Sequence, residues 1–116
     1  MTTLPSVELA KHYVKLCNDA DLVGIERLFT DTSTYRSPTS GVLVGVEPIM
    51  VMMRAFFARF ERVTWDVLQL DETEPGVVRI DFVMRALTLA GEAIESAGNE
   101  TLVVLDGKLR HVDVRR

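Results

Sequence analysis

The stretch Asn18–Pro38, NDADLVGIERLFTDTSTYRSP, determines how the rest of the chain is interpreted. Asp19 and Asp21 stand where a helix N-cap is expected, because a carboxylate at that position accepts hydrogen bonds from the first backbone N–H groups. The stretch ends at a proline, which has no N–H for a sheet ladder. It therefore predicts a short amphipathic helix over Leu22–Phe29 and a first strand over Thr32–Ser37.

Amphipathic helices are predicted on both sides of this stretch. In Pro5–Asn18, the residues Leu9, Tyr13 and Cys17 recur on one side at helical spacing, which is typical of a helix that packs on a core. A further helix is predicted to begin near Glu47, and it is apolar almost all round. Such a helix is expected to be wedged between two layers of structure.

The second half of the chain alternates between apolar and polar residues, as strands do. A short strand over Val42–Val44 is predicted to pair with the first strand. Thr88–Gly98 is predicted to contain a loop, and Asp106-Gly107 is predicted to form a hairpin turn. The remaining predicted strands are Arg62–Leu70, Val77–Leu87, Asn99–Leu105 and Lys108–Arg115. Three helices followed by a curved, mostly antiparallel sheet predict an α+β domain with the helices on one face.

Composition limits the classes of function. The 116 residues suit one domain, residues 1–116, and 47% hydrophobic with 26% charged residues is typical of a globular protein. A net charge of −4 without a basic run argues against nucleic acid, and no apolar stretch is long enough for a membrane. One cysteine and two histidines predict neither a disulfide nor a metal site, and no cofactor is indicated. We expect a cytoplasmic protein.

Four segments, in this order and spacing, resemble the nuclear-transport-factor-like superfamily, and in particular its SnoaL-like and ketosteroid-isomerase-like branch. They are KHYVKLCNDADLVGIERLFTDTSTYRSP, GVEPIMVMM, GVVRIDFVM and TLVVLDGKLRHV. The resemblance implies a cone, a cystatin-like roll in which a strongly curved sheet surrounds a hydrophobic pocket, usually in a homodimer. The family includes isomerases, cyclases, epoxide hydrolases and proteins without known activity, so the fold alone does not settle the function.

The resemblance also implies which strand residues face the pocket, and alternation gives the same two sets. The predicted inward set is Val63, Trp65, Val67, Ile80, Phe82, Met84, Thr101, Val103, Val112 and Val114. A homodimer is predicted through an apolar patch on the outer face of the sheet. That patch would contain Leu68, Leu70, Val83, Leu102 and Val104.

The ketosteroid isomerases use a tyrosine, a carboxylate base and a protonated acid. By resemblance the tyrosine is Tyr13, while Ser37 occupies the position of the base and Thr101 that of the acid. Serine has no usable basicity at neutral pH without a neighbouring base, so we expect no ketosteroid isomerase activity. An inward Asp-Arg-Asp set, as in the epoxide hydrolases, is not expected either. The residues that would form it are predicted to face outwards: Asp66, Arg79, Asp81 and Arg85.

A pocket with apolar walls and a few polar groups is typical of small-molecule sites. Tyr13 is the candidate hydrogen-bond donor. The predicted ligand-binding residues are Tyr35, Ser37, Trp65, Phe82, Met84, Thr101 and Val112. Three functions remain open: an isomerase- or cyclase-type enzyme acting on a small apolar molecule, a non-catalytic carrier of such a molecule, and a dimerising module whose pocket is vestigial.

Overall fold

The computed structural model describes residues 4–116. Over this range it contains three helices and six strands. The helices are α1 (Ser6–Asn18), α2 (Leu22–Glu26) and α3 (Val46–Phe57). The strands are β1 (Thr34–Ser37), β2 (Gly41–Val44), β3 (Phe60–Glu74), β4 (Val77–Thr88), β5 (Ala93–Leu105) and β6 (Lys108–Arg115). The predicted α+β class, with three helices before the main sheet, is confirmed.

The six strands form one sheet in the order β2-β1-β6-β5-β4-β3. Strand β1 runs parallel to β6, and all other neighbouring strands are antiparallel. Helix α1 packs against β3, β4 and β5, and α3 packs against β2 and β3. The face that these helices cover is called the inner face here, and the opposite one the outer face.

The core lies between the helices and the inner face. Its members are apolar side chains that alternate along the strands or recur at helical spacing. The most deeply buried of them are Ile25, Ile49, Met50, Val78, Ile80, Leu102, Leu109 and Val112. Among residues 4–116, no helix has both the length and the apolar composition that crossing a bilayer requires.

One of the two predicted helix caps is present. The Asp21 carboxylate accepts a hydrogen bond of 2.9 Å from the backbone N–H of Gly24, at the start of α2. Asp19 instead pairs with Lys15 at 2.7 Å on the surface. Helix α2 ends earlier than predicted, because the N–H of Leu28 turns to the carbonyl three residues before it, which tightens the last turn.

The predicted hairpin turn is confirmed, and the predicted loop within Thr88–Gly98 is present over 89–92, whereas β5 begins six residues before the predicted Asn99. Asp106 and Gly107 have φ angles of 54° and 72°, the left-handed pair that a type I′ hairpin turn requires. In contrast, Ala93–Gly98 belongs to β5 and pairs with Phe82–Leu87 of β4. This segment has weak intrinsic strand preference, so pairing with β4 rather than local sequence makes it a strand.

The β5–β6 hairpin contains an extra residue on β6. Val104 pairs with Leu109, but the next pair is Val103 with His111, so Arg110 has no partner on β5. This is a β-bulge, in which two residues of one strand oppose one of the other. In a hairpin without the bulge, Val103 would pair with Arg110 and Leu102 with His111. In the structure Val103 pairs with His111 and Leu102 with Val112, so each partner is shifted by one residue along β6.

The bulge reverses the predicted faces of β5. Without it Thr101 would oppose Val112 on the inner face, whereas in the structure Leu102 opposes Val112 and Glu100 opposes Val114. A one-residue change in register moves every side chain of a strand to the other face. The prediction that Thr101 and Val103 point inwards is therefore wrong, and Gly98, Glu100, Leu102 and Val104 point inwards instead.

A second bulge changes the predicted dimer patch. Between Val67 and Gln69 the register of β3 shifts, after which Leu70 opposes the inward Ile80. Leu68 lies in this bulge with 69% of its surface exposed. Of the predicted patch, Leu70, Leu102 and Val104 are thus on the inner face. Only Leu68 and Val83 remain outside, so the patch as predicted does not exist.

Gly98 offers a test of the close packing at the inner face. A Cβ atom at this position would lie 2.7 Å from the carbonyl oxygen of Arg115 and 3.1 Å from the ring of Phe82. Because the nearest atom belongs to the backbone, Gly98→Ala should lower the free energy of unfolding by about 1–3 kcal/mol, measured by urea denaturation. Ala97→Ser, which adds one atom on the outer face, is the control. Equal unfolding midpoints for the two variants would contradict the close approach.

Candidate active site

A cavity of about 60 Å³ lies between the inner face and the helices α1 and α3. A void needs only about 10–15 Å³ to hold a water molecule, so this one is larger than a packing defect. Its walls are mostly apolar: Val14, Met52, Met53, Phe56, Phe57, Trp65, Val67, Ile80, Phe82 and Val114. Its polar lining consists of Tyr13, Cys17, Tyr35, Ser37, Thr39, Glu100 and Arg116.

Tyr13 lies on the buried side of α1, and its ring packs edge-on against Phe29 with centroids 6.2 Å apart. Its side chain lies near the thiol of Cys17 and lines the cavity. Burial raises the pKa of Tyr13 well above its usual value, and the neighbouring Cys17 and Glu100 add to this. The phenol therefore stays neutral and can donate a hydrogen bond into the cavity, since a thiol sulfur is only a weak acceptor.

Tyr35 enters the same cavity from β1. It pairs with Val112 of β6, which lies on the inner face, so its side chain points inwards. Burial raises the pKa of Tyr35, with Glu100 and Cys17 acting in the same direction and Arg116 against it. Tyr35 is thus a second neutral hydroxyl beside the same carboxyl group.

Glu100 contributes the carboxyl group among the residues of 4–116 that line the cavity. It lies on β5 between Ile80 of β4 and Val114 of β6, both of which point inwards. Burial raises its pKa to about 7, while the positive charge of Arg116 acts in the opposite direction. Near neutral pH this carboxyl group therefore exists in both protonation states, which is what a general acid or base needs.

The hydroxyl of Ser37 is fully engaged by its own turn. It accepts a hydrogen bond of 3.0 Å from the Ser40 backbone N–H and lies 2.8 Å from the Ser40 hydroxyl. Ser40 already donates its proton to the carbonyl of Gly41, so Ser37 must be the donor to Ser40. Ser37 stabilises the β1–β2 turn and is not poised as a nucleophile or base.

Trp65 forms the wall of the cavity near α3, where its ring lies 6.0 Å from Phe56 and 5.9 Å from Phe57. The side chain of Asn18 holds the backbone of Trp65. Its oxygen accepts the Trp65 N–H at 2.7 Å and its amide donates to the Trp65 carbonyl at 3.2 Å. Because β3 is an edge strand, Asn18 supplies the two bonds that a further strand would make.

The structure brings together five of the predicted site residues. These five line the cavity: Tyr13, Tyr35, Ser37, Trp65 and Phe82. Met84 and Val112 are buried on the inner face without lining it, and Thr101 lies on the outer face. Sequence reasoning missed Glu100 and Arg116.

The sequence contains no signal that separates Glu100 from Thr101. Leu102 and Val104 share the alternation phase of Glu100, but Val103 and Leu105 share that of Thr101, so both phases contain two aliphatic residues. The pairing of β5 with β4 and β6 decides which phase faces the helices.

The charged residues predicted to face outwards form ion pairs on the outer face. Arg79 lies 3.2 Å from Asp81, and Arg85 lies 3.2 Å from Asp66. These four residues therefore do not form an acid–base set inside the cone.

Three helices on one face of a six-stranded mixed sheet are the fold of solved cystatin-fold and nuclear-transport-factor-like proteins. The sequence profile of the SnoaL-like domain matches residues 10–112. The chain belongs to this SnoaL-like family. Among curated proteins, none matches the sequence.

Solved structures share the fold at low sequence identity. A protein proposed to be a SnoaL-like polyketide cyclase, from Shewanella denitrificans, has a TM-score of 0.82 and 16% identity over 95% of this chain and 88% of its own. A cystatin-fold protein from Novosphingobium aromaticivorans has a TM-score of 0.83 and 16% identity over 97% of this chain and 99% of its own. TerC, co-crystallised with polyporic acid, has a TM-score of 0.82 and 14% identity over 96% of this chain and 90% of its own.

The environment of Glu100 predicts a pH dependence of stability. The folded protein raises its pKa from 4.5 to about 7, so it holds the proton more tightly than the unfolded chain does. The contribution of this group to stability is therefore complete below the unfolded pKa and is lost as pH rises through the folded pKa. Wild type should lose stability between about pH 5 and about pH 8, and Glu100→Gln should lose less, in urea denaturation.

Glu95→Gln is the matched control, because Glu95 is an exposed residue of the same strand. It should retain the wild-type pH dependence. If Glu100→Gln also retained that dependence in full, Glu100 would not be the group that titrates in this range.

Proposed function

We propose that this protein binds a small, largely apolar molecule carrying an oxygen function, and that it transfers a proton on that molecule, as isomerases and cyclases do. The observation that carries the proposal is the convergence of Tyr13, Tyr35 and Glu100 on one apolar cavity. Within residues 4–116, Tyr35 and Glu100 have no hydrogen-bonding side-chain partner, and Tyr13 has only the Cys17 thiol. Their polar groups are therefore available to a ligand.

The chemistry follows from the charge states of these groups. The Glu100 carboxylate takes a proton from the ligand carbon that lies between a carbonyl group and a carbon–carbon double bond. The C–H electron pair forms a new double bond to the carbonyl carbon and the carbonyl π pair moves to its oxygen, which gives a conjugated enolate. The enolate oxygen accepts hydrogen bonds from the hydroxyls of Tyr13 and Tyr35, which are neutral and placed in a desolvated site. Glu100 then returns the same proton to a different carbon, so that the carboxylate is regenerated and the ligand is isomerised.

One carboxyl group limits the chemistry to a single shuttled proton. The isomerases with the resembling sequence have their base at the position of Ser37, whose hydroxyl here serves the turn. Glu100 must therefore act as both acid and base. The sequence argued against isomerase activity because Thr101 stood at the position of the acid and Ser37 at that of the base. Glu100 on β5 supplies a carboxyl group and so revises the first reason, whereas the second reason, the lack of a base at Ser37, remains.

The second candidate is a non-catalytic carrier or dimerising module, and the engaged hydroxyl of Ser37 favours it. A carrier needs the apolar cavity and its hydrogen-bond donors, but no group that changes its protonation state. The similarity to a protein proposed to be a polyketide cyclase supports the enzyme, and the co-crystallisation of TerC with polyporic acid supports a small-molecule ligand under either hypothesis. The cytoplasmic location stays a prediction.

Proton exchange into 2-tetralone, a bicyclic ketone with acidic hydrogens next to its carbonyl, tests the proposed chemistry. In D₂O, wild type should accelerate deuterium incorporation at those carbons, followed by NMR. Glu100→Gln should abolish the acceleration, since it removes the only proposed base. Tyr13→Phe should reduce it by about fivefold to tenfold, the effect of losing one hydrogen bond of about 1 kcal/mol.

Binding of the same ketone, followed by the fluorescence of Trp65, separates the two candidates. Trp65 is the only tryptophan of the chain and lies in the cavity wall. Glu95→Gln is the control for both measurements. Binding without exchange in wild type would favour the carrier, and exchange that survives in Glu100→Gln would contradict the role given to this residue.

We also propose that two copies associate through the outer face. No helix of residues 4–116 packs on this face, and Val83 is half-buried there between the pairs Arg79–Asp81 and Arg85–Asp66. A face that carries both signs of charge around a valine complements its own copy across a two-fold axis. The partner proposed is therefore a second copy of this chain, through a smaller apolar contact than the sequence predicted.

Val83→Asp should weaken this dimer by at least about tenfold, because it buries an unpaired charge at the contact. Sedimentation equilibrium at micromolar concentration measures the association. Val51→Asp is the control, since Val51 is an exposed valine of α3, away from the outer face. A monomeric wild type at these concentrations would refute the dimer.

A further inference from the structure

The open end of the cavity carries a cation. Strands β1 and β6 are parallel, so they end at the same edge of the sheet, and the turn after β1 lies beside the segment after β6. Ser37 at the end of β1 and Thr39 in the turn line the cavity here, and so does Arg116, which follows β6. Arg116 and Val67 are exposed, whereas Tyr13 is buried, which puts the cation at the mouth and the phenol at the floor.

Gly98 allows the chain to reach this position. The carbonyl of Arg115, the last residue of β6, lies where a side chain at Gly98 would begin, so the end of β6 closely approaches the inner face of β5. A larger residue at position 98 would push this segment away from the mouth. The placement of Arg116 is therefore part of the packing of the sheet.

Arg116 differs from the other arginines near this end of the sheet. Arg36 and Arg115 both bond Asp113 on the outer face, at 3.1 Å and 3.0 Å. Within residues 4–116, no carboxylate lies within 4.0 Å of the Arg116 guanidinium. The acidic group that faces it in the cavity is Glu100, whose charged form is disfavoured by burial.

We propose that Arg116 binds an anionic group of the ligand, so that the natural ligand is an apolar ring compound carrying a carboxylate. This inference rests on the proposed function and names its ligand class. The guanidinium is planar and donates two parallel hydrogen bonds to a carboxylate, which fixes the orientation of the ring behind it. The ring then occupies the apolar cavity, and its other oxygen meets Tyr13, Tyr35 and Glu100.

A bound carboxylate also affects the proton on Glu100. Two negative charges in one cavity repel each other, so an anionic ligand favours the protonated form of Glu100. Binding should therefore take up protons from solution at pH values above neutrality. An uncharged ligand of the same shape should take up fewer.

The test compares 2-naphthoate with its uncharged amide, 2-naphthamide, by isothermal titration calorimetry. Wild type should bind the carboxylate about tenfold more tightly than the amide, the factor expected for one charge-assisted pair of hydrogen bonds. Arg116→Gln should lose this preference, and Arg116→Lys should retain part of it because the charge remains. Arg115→Gln, which changes the neighbouring arginine on the outer face, should retain the preference in full.

Proton uptake provides a second readout, from titrations at about pH 8 in buffers of different ionisation enthalpy. Uptake with 2-naphthoate that exceeds uptake with the amide supports the proposal. Equal affinities in wild type, or a preference that survives in Arg116→Gln, would overturn it. If wild type binds neither compound, the ligand class is also overturned, and the 2-tetralone exchange then decides separately on the proposed function.

Discussion

The pairing of β5 with β6 across the bulge at Arg110 controls the interior of the cone. Below the bulge the hairpin is regular, and above it each β5 residue opposes a β6 residue one position further along. This shift places Leu102 in the core and Glu100 in the cavity, and it turns Thr101 outwards. A strand pair held by hydrogen bonds has no intermediate register, so the choice affects the whole strand at once.

Removal from water is the common cause of the chemical character of the cavity. Burial is the largest influence on the pKa of Tyr13, Cys17, Tyr35 and Glu100, and it raises all four. For the phenols and the thiol the result is a neutral group at physiological pH, suited to hydrogen bonding. For the carboxyl group the result is a pKa of about 7, which permits proton transfer in either direction. Desolvation by the same apolar walls therefore keeps the phenols neutral as hydrogen-bond donors and makes the Glu100 carboxyl group an acid–base group near neutral pH.

The polar residues around the cavity divide into those that support the framework and those that remain available. The Asn18 side chain forms two hydrogen bonds with the backbone of Trp65, and the Ser37 hydroxyl forms hydrogen bonds with Ser40 in the β1–β2 turn. The polar groups of both side chains are therefore already bonded within the protein. Glu100 and Arg116 face each other across the opening without an ion pair. Available groups of opposite charge on an apolar cavity can meet different parts of one ligand, which is the basis of both proposals above.

The sequence by itself determined the order of the elements, because helix periodicity, the Asp21 cap and the Asp106-Gly107 turn are local properties of the chain. With the resemblance, these features also gave the α+β cone and the positions of Tyr13 and Trp65. Only the tertiary structure decided which phase of β5 faces inwards, and hence that Glu100 and not Thr101 enters the cone. Alternation with a period of two fixes which residues share a face but not which face is buried, and a bulge set by pairing with another strand reverses the assignment.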